Sequence, residues 1–176
     1  MISIVIPIYN EEENLPNLYN RLTAAAPSYK EDYEIVLVDD GSSDNSLQLM
    51  SEYARKDSHV RVIKLSRNFG HQPAISAGIQ EAKGDAVVIM DGDLQDPPEE
   101  LCRFLDKWRE GYQVVYAIRT KRKEGFFKKA AYSAFYRLLA TISEIEIPLD
   151  SGDFCVMDRR VVDTIVKEMP EQIRFV

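Results

Sequence analysis

The chain has 176 residues, of which 45% are hydrophobic and 29% are charged. This length and balance indicate one globular domain with a full apolar core, and they exclude a disordered tail, a collagen-like fibre and a small disulfide-stapled fold. The formal net charge is −7, and an acidic chain is a poor general nucleic-acid binder because affinity for phosphate depends on excess lysine and arginine. We therefore expect no nucleic-acid partner, and an anionic ligand would need a local basic cluster or a metal ion.

Five short runs rich in β-branched residues predict strands. They are almost continuously apolar, which is typical of strands covered on both faces; the runs are Ile2–Ile6, Glu34–Val38, Val60–Leu65, Ala86–Met90 and Val114–Ile118.

Helical patterns lie between and after these runs. A capping box of Asn10 and Glu13 predicts a first helix through Leu22, and Ser43 or Asp44 can cap a second helix. Further elements are predicted at about 72–82, from Pro97–Pro98 through Trp108, along an amphipathic stretch after Gly125, as an irregular stretch around Pro148–Phe154, and as a helix at about 159–167.

Strands that alternate with helices form βαβ units, whose right-handed crossovers give a mainly parallel sheet with helices on both faces. We therefore predict an α/β, Rossmann-like fold, with residues 1–176 forming a single domain. Ligands bind such sheets at the carboxyl ends of the strands. The N-terminus has no signal-peptide pattern and no apolar stretch is long enough to span a bilayer, so we expect a soluble, cytoplasmic chain. No turn or capping pattern precedes the last residue of the chain, so we also expect the chain to be part of a longer protein.

Acidic residues follow two of the predicted strands. Asp39 and Asp40 come after the second, and Asp91 and Asp93 come after the fourth, with Gln95 two residues on. Because the tips of parallel strands meet at one edge, these carboxylates should converge, and like charges held together require a cation. Oxygen ligands suit Mg²⁺ or Mn²⁺, although a lone Asp-x-Asp pair is common on solvated loops.

Other polar residues have an ordinary interpretation besides a functional one. The adjacent carboxylates of Asp39 and Asp40 are more than helix capping needs, and one of them could accept a hydrogen bond from a nucleobase N–H. Arg67 is either a surface arginine or a phosphate contact. We assign no metal role to His59 or His71, since histidine is commonly a polar loop residue.

A basic segment follows the fifth run. Residues 119–129 carry six lysines and arginines against one glutamate. At the edge of the acidic loops these cations could bind a diphosphate or an acceptor phosphate. Phe126 and Phe127 interleave with the lysines and begin an apolar stripe, which is either ordinary core packing or the face of a helix that lies on an anionic membrane.

Taken together, these motifs resemble the inverting family-two glycosyltransferases of GT-A fold, and most closely the polyprenyl-phosphate sugar transferases, such as the bactoprenol glucosyltransferases and dolichol-phosphate mannose synthase. The resemblance covers essentially the whole chain and is carried by residues 4–12, 38–44, 66–70, 91–99, 107–112, 152–154 and 157–162.

The resemblance implies roles for the matching residues. The metal would be held by Asp91, Asp93 and Gln95, and the catalytic residues would be Asp93, Arg119 and Asp153. Nucleotide-sugar binding would involve Pro7, Tyr9, Glu11, Val38, Asp40, Arg67, Gly70, Asp91, Lys128 and Lys129. Cys155 departs from the pattern, because relatives often carry arginine there, and the family's membrane helices are absent after Val176.

The function implied by the resemblance is a metal-dependent, inverting transfer of a hexose from a nucleotide diphosphate sugar, with UDP-sugar favoured, to a polyprenyl phosphate. The reaction would occur at the inner face of the membrane, to which the full-length protein is expected to be anchored. The alternatives are a non-catalytic sugar-nucleotide binding module, a transferase acting on a saccharide hydroxyl, a response-regulator receiver domain and a nucleotidyltransferase. The donor base, the sugar and the oligomeric state stay open.

Overall fold

The computed structural model describes residues 1–118 and 151–170, and it describes residues 118 and 151–153 as backbone only. The chain divides into two compact units, residues 1–116 with 153–176 and residues 117–152. The first unit contains every candidate residue whose side chain the structure describes.

Six strands of the described residues form one sheet. They are β1 (Ile2–Ile8), β2 (Tyr33–Asp39), β3 (Val60–Lys64), β4 (Ala86–Ile89), β5 (Val114–Ile118) and β6 (Ser151–Asp158). Their order in the sheet is β3-β2-β1-β4-β6-β5. β1 pairs in parallel with β2 and β4, β2 pairs in parallel with β3, and β6 runs antiparallel to β4. The predicted α/β fold with a mainly parallel sheet is confirmed.

The strand β6 was not predicted from the sequence. It begins inside the stretch around Pro148–Phe154 that was expected to be irregular, and this expectation is wrong for residues 151–154. The glycine and the aspartate at its start give it no apolar pattern; its later residues Cys155–Asp158 pair with β4, and β6 lies between β4 and β5 in the sheet. Its Cys155 is buried in the core, where it packs with the apolar residues of the sheet and of α3.

The described helices are α1 (Leu15–Ala25), α2 (Ser46–Lys56), α3 (His71–Glu81), α4 (Leu101–Arg109) and α5 (Arg159–Glu168), and short 3₁₀ turns lie at Ala26–Tyr29 and Pro98–Glu100. All five lie where the sequence predicted helices. The predicted capping box at Asn10 is wrong, because α1 begins only at Leu15 and has no side-chain cap. None of these described helices is long and apolar enough to cross a bilayer.

Helix α3 packs closely on the sheet. Its Gly78 faces β1 and β2 so tightly that an added Cβ would lie 2.2 Å from Cγ1 of Val5 and 3.0 Å from Cγ2 of Val38. Ile75 and Ile79 of the same helix are fully buried in this core. Because the helix cannot shift without opening this contact, its N-terminus is held at the carboxyl edge of the sheet.

Candidate functional site

A pocket of about 350 Å³ lies at the carboxyl edge of the sheet. Its walls come from the loops that follow β1, β2, β3 and β4 and from the start of α3. The lining residues are Pro7, Ile8, Tyr9, Glu11, Asp40, Asn68, Gly70, His71, Ala74, Asp91, Gly92 and Asp93. This is the edge at which parallel α/β sheets bind ligands.

The loops after β1 and β2 hold each other by reciprocal hydrogen bonds. The backbone N–H of Asn10 donates to Ser42 Oγ at 3.0 Å, and Asn10 Oδ1 accepts from the backbone N–H of Ser43 at 2.8 Å. Further along, Oε2 of Glu12 accepts from the backbone N–H of Asn45 at 2.8 Å. Asn10 adopts a left-handed φ of 56°, which asparagine tolerates better than most residues. Its side chain therefore joins two loops instead of capping α1.

Asp44 strengthens the same connection. Its carboxylate accepts from the backbone N–H of Ser46 at 2.9 Å and from the backbone N–H of Glu12 at 3.1 Å. Burial by itself would raise the pKa of Asp44, but hydrogen bonds from Ser46 and Glu12 outweigh it and leave the pKa below its usual value. Asp44 is therefore ionised at neutral pH, and the charge strengthens these hydrogen bonds.

Asp40 joins the loop after β2 to the loop after β3. It is 3% exposed, and its two oxygens accept hydrogen bonds from the backbone N–H groups of Phe69 at 2.7 Å and Gly70 at 2.9 Å. The neighbouring Gly41 has a φ of +72°, and an added Cβ would lie 2.6 Å from the backbone of Arg67 and Asn68. The loops after β2 and β3 are thus held together by a buried carboxylate and by a glycine that admits close backbone contact.

Asp39 differs from its neighbour. It is fully buried, and its Oδ1 accepts from the backbone N–H of Ser42 at 3.1 Å. Within the part of the chain that the structure describes, its Oδ2 has no hydrogen-bond partner. A buried polar atom without a partner is uncommon, so this oxygen has unused capacity to accept a hydrogen bond.

Asp91 and Asp93 stand on the wall formed after β4. Gly92 between them is buried, and an added Cβ there would lie 2.7 Å from Cδ1 of Ile8. Oδ1 of Asp93 accepts from the backbone N–H of Gln95 at 3.0 Å. Oδ1 of Asp91 lies 3.4 Å from Nε2 of His71, at the start of α3.

These residues fit a divalent cation that is completed by its ligand. Among the side chains of residues 1–117 and 154–170, no three histidines, cysteines, aspartates or glutamates form a ready-made metal cage. Mg²⁺, however, is commonly held by one or two carboxylates together with substrate phosphates, and Asp91 and Asp93 can supply that pair. The described lining contains four carboxylates and no lysine or arginine, so a diphosphate there requires compensating positive charge.

The structure brings seven of the predicted residues to the wall of one pocket: Pro7, Tyr9, Glu11, Asp40, Gly70, Asp91 and Asp93. Three others lie apart from this lining. Val38 is fully buried in the core, Gln95 is exposed, and the exposed Arg67 places its guanidinium 4.8 Å from the ring centroid of Phe69.

The remaining predicted residues cannot be placed in the site. Arg119, Lys128 and Lys129, with the rest of the basic segment, lie outside the described residues, and Asp153 is described only as backbone of β6. The sequence reasoning did not assign His71 to the pocket. The sequence did contain a sign that His71 belongs to the pocket, because this residue begins a helix directly after a loop at the end of a predicted strand.

The glycosyl transferase family 2 model matches residues 3–166. The chain belongs to this family. It is 50% identical over 175 residues to the glycosyltransferase YkcC of Bacillus subtilis strain 168, covering 99% of this chain and 54% of that protein. It is 43% identical over 169 residues to the undecaprenyl-phosphate 4-deoxy-4-formamido-L-arabinose transferase of Yersinia pestis, covering 96% of this chain and 50% of that enzyme. The chain therefore spans about half the length of these curated relatives.

Solved structures agree on the fold of this family-two domain. A mannosyltransferase from Pyrobaculum calidifontis in complex with GDP-mannose and Mn²⁺ matches with a TM-score of 0.62 and 21% identity, covering 93% of this chain and 46% of that one. Glucosyl-3-phosphoglycerate synthase from Mycobacterium tuberculosis, in complex with Mn²⁺, UDP and glucosyl-3-phosphoglycerate, matches with a TM-score of 0.62 and 20% identity. The match covers 92% of this chain and 57% of that one. These likenesses show the GT-A fold, in agreement with the family assignment.

Proposed function

We propose that this family-two domain transfers a hexose from a nucleotide diphosphate sugar, with UDP-sugar favoured, to a polyprenyl phosphate, with inversion at the anomeric carbon and with Mg²⁺ or Mn²⁺. The observation that carries the proposal is the pocket at the sheet edge, where Asp91 and Asp93 share a described lining without lysine or arginine. Such a lining favours a diphosphate that arrives with a divalent cation over a bare anion.

The nucleotide would occupy the side of the pocket formed after β1 and β2. Tyr9 is 49% exposed and lines this side, so its ring is available for contact with a base or ribose. Asp40 already accepts two backbone hydrogen bonds, but each carboxylate oxygen has a further lone pair for a ligand donor. Asp39 is fully buried and lies outside the lining, so we assign the acceptor for a nucleobase N–H to Asp40.

The sugar diphosphate would lie against the wall formed after β4. Asp91 and Asp93 would hold the divalent cation, which when bound supplies a Lewis acid that stabilises the charge of the leaving diphosphate. The bond of Asp93 Oδ1 to its own loop at 3.0 Å restricts the carboxylate before a ligand arrives, and preorganisation of this kind lowers the cost of reaching the transition state. Gln95, exposed outside the lining, is the third proposed ligand.

A polyprenyl phosphate is the favoured acceptor, because the Yersinia pestis relative at 43% identity is named for transfer involving undecaprenyl phosphate. A phosphate monoester has a second pKa of about 6. The acceptor phosphate is therefore an anion at pH 7, and its attack on the sugar needs no strong general base. Asp153 would then orient the acceptor or the sugar. Arg119, Lys128 and Lys129 would provide positive charge for phosphate groups, and their basic segment would favour an anionic membrane surface at the cytoplasmic face.

The proposal is tested by incubating the chain with radiolabelled UDP-glucose, UDP-N-acetylglucosamine or GDP-mannose, with undecaprenyl phosphate in micelles and Mn²⁺. We expect sugar to appear in the lipid fraction from one donor. Asp93→Asn should reduce the rate about a hundredfold, whereas Asp32→Asn, at an exposed site, should not. Undiminished transfer in EDTA would refute the metal requirement, and transfer only to saccharide hydroxyls would refute the lipid acceptor.

A further inference from the structure

His71 stands at a fixed point of the pocket wall. It is the first residue of α3, and the preceding Gly70 is held through its backbone N–H by Oδ2 of Asp40 at 2.9 Å. The close packing of Gly78 on Val5 fixes the rest of the helix. The imidazole is therefore presented to the pocket by an anchored backbone and not by a free loop.

The ring faces Asp91 across the pocket wall. His71 Nε2 lies 3.4 Å from Asp91 Oδ1, and the two side chains are 42% and 28% exposed. Exposed pairs of this kind contribute little to folding stability. The location of the contact is more informative than its strength, because it joins the start of α3 to a carboxylate of the pocket wall after β4.

We propose that His71 is a positioning residue for the donor site, in which its Nε2–H donates to Oδ1 of Asp91 and holds that carboxylate in the orientation that binds the divalent cation of the nucleotide diphosphate. This inference rests on the proposed function, which assigns Asp91 to the cation. Carboxylates that ligate metals are themselves commonly hydrogen-bonded, and loss of such an outer partner typically lowers metal affinity about 10- to 100-fold.

The proposal requires a hydrogen-bond donor at the position of Nε2. Two substitutions distinguish the effect of this donor from the effect of the ring's volume. His71→Phe keeps a flat ring but removes the donor. His71→Gln removes the ring but can place an amide N–H near the same position. If the donor is what matters, glutamine should rescue and phenylalanine should not.

A second histidine–aspartate pair gives a matched control. His59 Nδ1 lies 2.7 Å from Oδ1 of Asp57, and the histidine side chain is 47% exposed, similar to that of His71. Neither residue lines the pocket. His59→Phe therefore removes an equivalent exposed contact at a site without a proposed role in donor binding.

The experiment measures Mn²⁺ affinity by electron paramagnetic resonance of free Mn²⁺, in the presence of saturating UDP and, separately, GDP. His71→Phe should weaken Mn²⁺ binding about 10- to 100-fold, while His71→Gln and His59→Phe stay close to the unsubstituted chain. In transfer assays, His71→Phe should raise the Mn²⁺ concentration for half-maximal rate and leave kcat at saturating Mn²⁺ nearly unchanged. Thermal midpoints without metal show that each variant is folded.

Each remaining outcome decides against the inference. Unchanged Mn²⁺ affinity in His71→Phe, or an equal loss in His71→Gln, overturns the role of the Nε2 donor while leaving the proposed function intact. A comparable loss in His59→Phe shows a non-specific effect and overturns it as well. If the unsubstituted chain binds no Mn²⁺ with either nucleotide, the proposed function itself fails.

Discussion

Oδ2 of Asp40 accepts a hydrogen bond from the backbone N–H of Gly70 at 2.9 Å, although the two residues are 30 positions apart in the chain. Its other oxygen binds the N–H of Phe69. A carboxylate at the end of β2 thereby fixes the loop that leads into α3. Two walls of the pocket depend on this one side chain.

Asp40→Asn should loosen the loop after β3. An amide in this place presents one acceptor and one donor to two N–H groups, so one of the two hydrogen bonds is lost. We expect a loss of unfolding free energy of about 1–3 kcal/mol and faster amide hydrogen exchange at Phe69 and Gly70, measured by NMR. Asp32→Asn, an exposed site, serves as the control. Unchanged protection of both amides would show that the carboxylate does not hold this loop.

Gly41→Ala tests the close contact between the loops after β2 and β3. Gly41 and Gly111 both have positive φ, 72° and 104°, but only an added Cβ at Gly41 meets backbone atoms, at 2.6 Å. Gly111→Ala should therefore cost only the backbone strain, about 1–2 kcal/mol, and Gly41→Ala should cost clearly more. Chemical denaturation compares them. Equal losses for the two variants would show that the loops can separate without cost.

Glu34 lies at the opposite end of the sheet, away from the pocket lining. Its carboxylate accepts hydrogen bonds from Ser3 Oγ at 2.6 Å, Arg61 Nη1 at 2.9 Å and the backbone N–H of Lys83 at 2.8 Å. Burial would raise the pKa of Glu34, but these three partners outweigh it and the pKa falls below the ordinary value of 4.5.

Glu34→Gln should lower the unfolding free energy by about 2 kcal/mol at neutral pH, because hydrogen bonds to a charged acceptor are lost. Since the pKa is lower in the folded than in the unfolded state, this stabilisation is present above pH 4.5 and is lost as the pH falls through the folded-state pKa. The stability difference between the two proteins should therefore shrink in acid. Urea unfolding across this pH range measures it, with the exposed Glu13→Gln as control; a difference that grows in acid would contradict the assigned contacts.

The sheet edge could be predicted because its determinants are local. Nearly continuous apolar runs predicted the strands, and the polar residues directly after them predicted where the pocket forms. Asp40, Asp91 and Asp93 reach one pocket because parallel strands bring their tips together, which the alternating pattern already implies.

The remaining features depend on contacts between distant segments. Asn10 was expected to cap α1, but its side chain binds Ser43 of another loop, and no local pattern distinguishes the two uses of an asparagine side chain. β6 starts with polar and small residues, and its place in the sheet between β4 and β5 depends on strands far away in the sequence. His71 enters the pocket because α3 is anchored by Gly78 and Asp40, neither of which is its sequence neighbour.

The most direct test of the account is isothermal titration calorimetry of UDP and, separately, GDP into the chain, with Mn²⁺ or with EDTA, for the unsubstituted protein and Asp93→Asn. If Asp91 and Asp93 hold the cation of a nucleotide diphosphate, at least one nucleotide binds with Mn²⁺, and its affinity falls about tenfold or more in EDTA and in Asp93→Asn. Two results would contradict the claim that this pocket binds its donor through a metal ion on these carboxylates. One is equal affinity with Mn²⁺ and with EDTA, and the other is an Asp93→Asn variant that binds the nucleotide as tightly as the unsubstituted chain.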